Sequence, residues 1–144
     1  MPAPQKIKEL VEKFAQNYDH YQSDKYNEED LRHEFLNPFF KALGWDMEDR
    51  NGLGPKRDVR YEERIKSGAP DFGFYIDGKR RFFVEAKNPS VNVCNNPVAA
   101  LQLRSYGWSA KIARSILTDF EEFAIYDCTI RPKVNDEARI ARLD

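Results

Sequence analysis

Two carboxylates and a lysine, Asp71, Glu85 and Lys87, are the side chains of this sequence whose types and spacing best fit chemical work. They lie within or just after residues 71–76 and 81–86, two segments in which apolar and polar residues alternate around an Asp-Gly pair. This pattern predicts a β-hairpin. Whether the three groups meet depends on the register of its strands, because residues paired across two strands point to the same side.

The hydrophobic pattern favours one register of this hairpin over another. A two-residue turn would place Phe74 opposite Arg81, an apolar side chain opposite a charged one. A loop of odd length, such as residues 77–79, would place Phe74 opposite Phe82 instead. We therefore expect the odd-length loop, because it gathers the apolar residues on one face: Phe72, Phe74, Ile76, Phe82, Val84 and Ala86.

In the favoured register Asp71 faces Glu85 on the other side of the hairpin, with β-carbons about 4.5–5.5 Å apart. Two carboxylates this close repel each other unless a cation lies between them. Because the pair includes no histidine or thiolate, it suits Mg²⁺, or Mn²⁺ in its place. Lys87, two residues further on, could orient a water molecule and offset charge that develops on a phosphate. The alternative is a solvated face on which Glu85 and Lys87 are ordinary surface charges.

Helices predicted on both sides of the hairpin must position it. Residues 5–20 carry apolar side chains at three- and four-residue steps, which predicts an amphipathic helix. Asn27 begins a second helix, which we expect Pro38 to kink or end early and which stops by Gly44. Asn96 begins a third helix, and its predicted buried stripe is Val98, Leu101, Trp108 and Ile112.

Short strands are predicted at residues 58–61, 115–118 and 123–126. The chain has 144 residues, which indicates one domain. We expect a helix and connector over residues 1–26 and a core over residues 27–130, followed by a polar tail or truncated linker over 131–144.

The composition excludes several classes of protein. The two cysteines, with only two histidines, favour reduced thiols over a zinc site or a disulfide framework. No apolar run is long enough to span a membrane, so we expect a cytoplasmic protein. Lys and Arg number 23 against 24 Asp and Glu, giving a net charge of −1. The chain therefore lacks the excess of basic residues that supplies most non-specific affinity for nucleic acids.

Pro70-Asp71, followed by Glu85-Ala86-Lys87 at the end of the next strand, resembles the PD-(D/E)xK nuclease motif. The resemblance implies an α/β restriction-endonuclease-like core, with a central mixed β-sheet flanked by helices. It also implies that Asp71, Glu85 and the backbone carbonyl of Ala86 hold Mg²⁺, for which Mn²⁺ can substitute. Lys87 would serve the attacking water.

Residues outside the hairpin extend the resemblance. Gln102 and Tyr106 share one face of a helix and are similar to the QxxxY motif found in a subset of these nucleases. Glu34 precedes an apolar stretch ending in Leu-Gly-Trp and is similar to the acid in the first helix of restriction endonuclease domains. It would complete the metal site, with a capping or surface role as the alternative. The basic residues expected to face DNA are Arg104, Lys111 and Arg60.

The resemblance is to the N-terminal endonuclease domains of single-chain restriction-modification enzymes and to type I restriction subunits. It implies metal-dependent cleavage of DNA, with a methyltransferase and a target-recognition region outside this chain. The net charge of −1 then predicts weak DNA binding by the chain alone. Two alternatives stay open: a non-catalytic nucleic-acid-binding or regulatory module with the same fold, and an RNA- or structure-specific nuclease.

Overall fold

A six-stranded mixed β-sheet is the framework of the chain. The computed structural model describes residues 2–133 and 139–143. Strands lie in the sheet in the order in which they occur in the chain, and all neighbours are antiparallel except β3 and β4, which run parallel. Their bounds are Val59–Tyr61 (β1), Phe72–Ile76 (β2), Lys79–Ala86 (β3), Arg114–Thr118 (β4), Phe123–Asp127 (β5) and Arg139–Leu143 (β6).

Helices cover both faces of this sheet. On one face lie α1 (Gln5–Gln16), α2 (Tyr18–Tyr21), α3 (Glu28–Leu31) and α4 (Asn37–Ala42). On the other lies α5 (Pro97–Ala110), which supplies the crossover that the parallel strands β3 and β4 require. The predicted α/β class, with a mixed sheet flanked by helices, is confirmed. None of the helices in the described ranges is both long and apolar enough to cross a membrane.

The β2–β3 hairpin has the predicted register but reaches it by another route. Phe74 faces Phe82, as expected. The loop, however, is a two-residue turn of Asp77 and Gly78 with φ values of 52° and 75°, the left-handed backbone of a type I′ turn. A β-bulge beside Tyr75 then shifts the register by one residue. The predicted odd-length loop is therefore wrong, because the extra residue that shifts the register lies in a bulge within the strands and not in the loop.

The bulge removes one residue from the predicted apolar face. Ile76 lies beyond it and is 46% exposed. The remaining five apolar residues are fully or partly buried against the layer of α1, α2, α3 and α4: Phe72, Phe74, Phe82, Val84 and Ala86. Their burial turns the alternate residues of the hairpin, including Glu85, toward α5.

The second predicted helix does not break at Pro38. It continues through a π-helical turn over Arg32–Leu36, which joins α3 to α4. In a regular helix the proline ring would clash with a carbonyl four residues earlier, whereas here the turn directly before it is wider, and the N–H of Asn37 donates to the carbonyl of Arg32. The predicted early break is therefore wrong, the predicted kink stays a prediction, and the helix ends, as expected, before Gly44.

Helix α5 buries a face different from the predicted one. Val98 and Trp108 belong to the predicted stripe but are 76% and 44% exposed. Small residues form much of the buried face, and a β-carbon on Gly107 would lie only 2.5 Å from Sγ of Cys128. The helix therefore lies close to the sheet, and Val98 and Trp108 remain outside, whereas Ile112 of the predicted stripe is buried just after the helix. The buried residues are Ala99, Ala100, Leu103, Arg104, Tyr106 and Gly107.

The segment predicted as a polar tail contains a strand. β6 pairs antiparallel with β5 and forms one edge of the sheet. An edge strand makes main-chain hydrogen bonds with a single neighbour and needs little apolar content, so periodicity did not reveal it. Residues 134–138 and 144 of the predicted tail lie outside the described residues.

Candidate metal and catalytic site

Asp71 and Glu85 lie together at the open end of the β2–β3 hairpin. The backbone N–H of Asp71 donates to Oε1 of Glu85 at 3.1 Å, and the backbone N–H of Ala86 donates to Oδ2 of Asp71 at 2.8 Å. Glu85 is only 6% exposed. The structure thus brings the predicted pair together, and backbone donors fix the orientation of both carboxylates.

The electrostatics of this pair favour a bound cation. Burial, followed by the negative charge of Asp71, raises the pKa of Glu85 to about 8. The positive charge of Lys87 lowers that pKa but does not offset the other effects. At neutral pH the carboxyl of Glu85 therefore takes up a proton unless a positive ion compensates its charge.

Replacing Glu85 with Gln is expected to stabilise the protein in EDTA, and to do so more at high pH. The unfolded carboxyl ionises near its ordinary pKa of 4.5 and the folded one near 8, so the wild type loses stability as the pH rises between these values. The gain in melting temperature at pH 8 should exceed that at pH 5 by roughly 10 °C. Glu9→Gln, on an exposed part of α1, is the control, and a gain that does not change with pH would contradict the assignment.

Lys87 extends β3 beyond its last residue. Its backbone N–H donates to the carbonyl of Thr118 at 2.9 Å, which continues the pairing with β4. The side chain is half-buried and makes no ion pair within the described residues. Its ammonium group is therefore available to a ligand of the acid pair.

Tyr106 of α5 lies beside the two acids. Burial, followed by the charges of Glu85 and Asp71, raises the pKa of its hydroxyl. Gly68 makes room for the ring, because a β-carbon there would lie 2.6 Å from Cε1 of Tyr106. Gln102, one helical turn earlier, is exposed. The two residues of the predicted QxxxY motif therefore share one face, with the tyrosine packed toward the acids and the glutamine open to solvent.

Glu34 lies on the π-helical turn but is not joined to the acid pair. Its Oε2 accepts a hydrogen bond of 2.6 Å from the hydroxyl of Tyr26, whose carbonyl in turn accepts one from the side chain of Asn88. Within the described residues Glu34 makes no hydrogen bond with Asp71 or Glu85. Its expected part in the metal site stays a prediction.

Arg32 is a site residue that the sequence analysis missed. Its Nη1 lies 2.9 Å from Oδ1 of Asp71 and 3.2 Å from Oε1 of Glu62. The arginine and Asp71 are 39 residues apart in the chain, a separation that no periodicity reveals. The one available signal was its place two residues before Glu34, in the segment that resembles the first helix of restriction endonuclease domains.

Arg104, predicted to face DNA, is 2% exposed. Its Nη1 donates to the backbone carbonyl of Lys133 at 3.5 Å. Residues two apart on a helix point about 200° away from each other, so an arginine between Gln102 and Tyr106 faces away from both. The prediction that Arg104 contacts DNA is corrected accordingly.

The other two predicted DNA-facing cations are placed differently. Arg60 pairs with Glu63 at 3.1 Å and lies over the ring of Tyr75, so its charge is already engaged. Lys111 is exposed and lines a cavity of about 860 Å³ with Trp108. Because it precedes β4 and Lys87 follows the parallel β3, the two lysines lie at opposite ends of the sheet. Neither residue is therefore brought to the acid pair.

The acid pair fits a hard divalent cation. The described ranges contain no group of three or more His, Cys, Asp or Glu residues that could hold a metal ion. Mg²⁺ needs only one or two carboxylates, because it keeps several water ligands and binds substrate phosphates. Asp71 and Glu85 meet that requirement, and the absence of sulfur and imidazole donors from the pair disfavours zinc.

Fold and site together define an α/β domain in which a hairpin of a mixed sheet presents two acids and a lysine beside a crossover helix. In an alignment of 144 positions that covers 95% of its residues, the chain is 39% identical to the type II restriction enzyme and methyltransferase RM.Eco57I of Escherichia coli. It spans 14% of that protein. The chain is therefore a homologue of part of a restriction enzyme and methyltransferase, and the resemblance to restriction-modification enzymes is confirmed.

A weaker similarity links the chain to a solved structure, that of the type IIG restriction endonuclease BpuSI. It covers 79% of this chain and 12% of the other, with 21% sequence identity and a TM-score of 0.45. No model of a known protein family matches the sequence. The assignment therefore rests on the sequence similarity to the restriction enzyme and methyltransferase.

Proposed function

We propose that this chain is the DNA-cleaving nuclease domain of a larger restriction-modification enzyme, and that it hydrolyses phosphodiester bonds with a divalent metal ion. The observation that carries the proposal is the Asp71–Glu85 pair at the end of one hairpin, with Lys87 directly after it, in a homologue of a restriction enzyme and methyltransferase. The methyltransferase and the target-recognition region would lie outside the residues of this chain.

The side chains of the site divide the work of hydrolysis. The carboxylates of Asp71 and Glu85, with the carbonyl of Ala86, would hold Mg²⁺ or Mn²⁺. The cation supplies a Lewis acid that polarises the scissile phosphate. Lys87 orients the attacking water and offsets the negative charge that develops on the phosphate. Tyr106 and Gln102 line the approach to the phosphate from α5.

Affinity for DNA would come mainly from the rest of the larger enzyme. The net charge of the chain is −1, and two of its predicted DNA-facing arginines are buried or already paired. Because counterion release by basic side chains supplies most non-specific affinity, the chain alone should bind DNA weakly and with little sequence preference.

Incubation of the purified chain with supercoiled plasmid at low ionic strength tests the proposal. We expect nicking in Mg²⁺ or Mn²⁺ and none in EDTA, because the two carboxylates need the cation to act. Asp71→Ala should lose the activity. Parallel reactions with duplex RNA and branched DNA test for an RNA- or structure-specific nuclease. Cleavage of these substrates but not of the plasmid would favour that alternative over the proposed DNA-cleaving domain.

A non-catalytic module makes a different prediction. It would cleave none of these substrates in any metal, and calorimetric titration would detect no Mn²⁺ binding that depends on Asp71. That combined result would reject the proposed function. Cleavage that persists in EDTA would reject the metal dependence but leave a nuclease.

A further inference from the structure

One nitrogen of Arg32 joins two carboxylates that belong to different parts of the chain. Nη1 lies 2.9 Å from Oδ1 of Asp71 and 3.2 Å from Oε1 of Glu62. The side chains of Arg32 and Asp71 are 19% and 16% exposed, whereas that of Glu62 is 65% exposed. Solvent weakens ion pairs between exposed groups, so Asp71 is the stronger of the two partners.

The contact with Arg32 places a positive charge beside the carboxylate that a cation would need. Oδ2 of Asp71 already accepts from the backbone N–H of Ala86, and Oδ1 accepts from the guanidinium. Mg²⁺ binds carboxylate oxygens at about 2.0–2.1 Å, so a cation on Oδ1 would lie within a few ångströms of the guanidinium, where like charges repel strongly. Arg32 and a divalent cation therefore compete for the charge of one carboxylate.

Glu62 offers the arginine a second carboxylate. Its backbone has a φ of 48°, a left-handed conformation that is unfavourable for a non-glycine residue. Its backbone N–H donates to the carbonyl of Asp71 at 3.0 Å, which ties this residue to the acid pair. The arginine can leave Asp71 and keep a carboxylate partner, because the same nitrogen already touches both.

We propose that Arg32 is a positioning residue that neutralises Asp71 before the metal binds and moves onto Glu62 when a divalent cation takes its place. The inference rests on the metal site of the proposed function and adds a counter-ion exchange to it. Glu62 thereby sets how readily the site accepts a cation, although it is not itself a metal ligand.

Calorimetric titration with Mn²⁺ at pH 8 tests this exchange without reference to cleavage. Arg32→Gln removes the competitor, and Mn²⁺ should bind about tenfold more tightly, because the pair it replaces is largely shielded from solvent. Glu62→Gln removes the second carboxylate partner of the arginine. Mn²⁺ should then bind about threefold more weakly, an effect of the size expected for the loss of an exposed ion pair. Arg32→Lys keeps the positive charge and should stay close to the wild type.

The double variant tests whether Glu62 affects Mn²⁺ binding through Arg32 or independently of it. If Glu62 acts through Arg32, then Arg32→Gln with Glu62→Gln should bind Mn²⁺ as Arg32→Gln alone does. Glu29→Gln, an exposed acid on the same helix, is the matched control and should change nothing. Circular dichroism melts establish that each variant folds, and the exposed Glu62→Gln keeps the test decisive if Arg32→Gln does not fold.

Equal Mn²⁺ affinity in the wild type and Arg32→Gln, or weaker binding in the latter, would overturn the exchange and leave the proposed nuclease intact. So would a Glu62→Gln variant that binds as the wild type does. No Mn²⁺ binding by any variant would overturn both the exchange and the metal site, and the plasmid assay would then decide whether nuclease activity survives.

Discussion

Lys87→Ala is expected to reduce metal-dependent plasmid nicking by about 10²–10³-fold, the usual loss when one group that stabilises transition-state charge is removed. The lysine follows the buried Glu85 by two residues, and its charge acts on the pKa of that carboxyl. Its side chain makes no ion pair in the described part of the chain, so the substitution breaks none of the described ion pairs of the fold. Initial nicking rates at saturating Mg²⁺ measure the effect.

The same strand offers a matched control for this substitution. Lys79 begins β3 and is exposed at the turn of the hairpin, at the end opposite the acids. Lys79→Ala should retain the nicking rate and the melting temperature of the wild type. A Lys87→Ala protein that nicks DNA at the wild-type rate would remove Lys87 from the mechanism, whereas equal losses in both variants would indicate a non-specific effect of charge.

Phe35→Ala is expected to lower the free energy of unfolding by about 3–5 kcal/mol. The ring is fully buried and lies 4.8–5.4 Å, centroid to centroid, from the rings of Phe14, Tyr21 and Phe120. A cavity at this point would loosen α1, α2 and the π-helical turn together. Because a domain is commonly stable by only about 5–15 kcal/mol, urea unfolding should show a large shift of the midpoint.

Val11→Ala on α1 is the control for the aromatic cluster. Val11 is 54% exposed, so truncation should change the free energy of unfolding by less than about 0.5 kcal/mol. A loss below about 1 kcal/mol for Phe35→Ala would mean that the helices do not depend on this ring.

The register of the hairpin could be predicted because it depends on local patterning. Phe74 and Phe82 had to share an apolar face, and any turn that paired them would serve. The sequence did not determine how the register is reached, since an odd-length loop and a turn with a bulge give the same pairing. Ile76 was misplaced for that reason.

The site was predicted where it rests on neighbours in one hairpin and missed where it rests on tertiary contacts. Asp71 and Glu85 meet across paired strands, whereas Arg32 reaches Asp71 from a distant helix. Arg104 was wrongly predicted to lie at the surface because of its charge. The small residues around it let this face of the helix pack closely against the sheet, which buries the arginine. Arginine burial depends on tertiary partners that hydropathy does not encode.

The π-helical turn over Arg32–Leu36 lets the helix carry one extra residue without changing which way the side chains at its two ends point. The N–H of Asn37 reaches back five residues, to the carbonyl of Arg32, where an α-helix would reach back four. Deleting one residue inside this turn would restore a regular helix, because the wide turn already absorbs the extra residue. Arg32 would then still face Asp71, and Phe40 would stay in the core. A one-residue gap at this point in an aligned homologue would therefore mark a regular helix whose arginine still holds the acid.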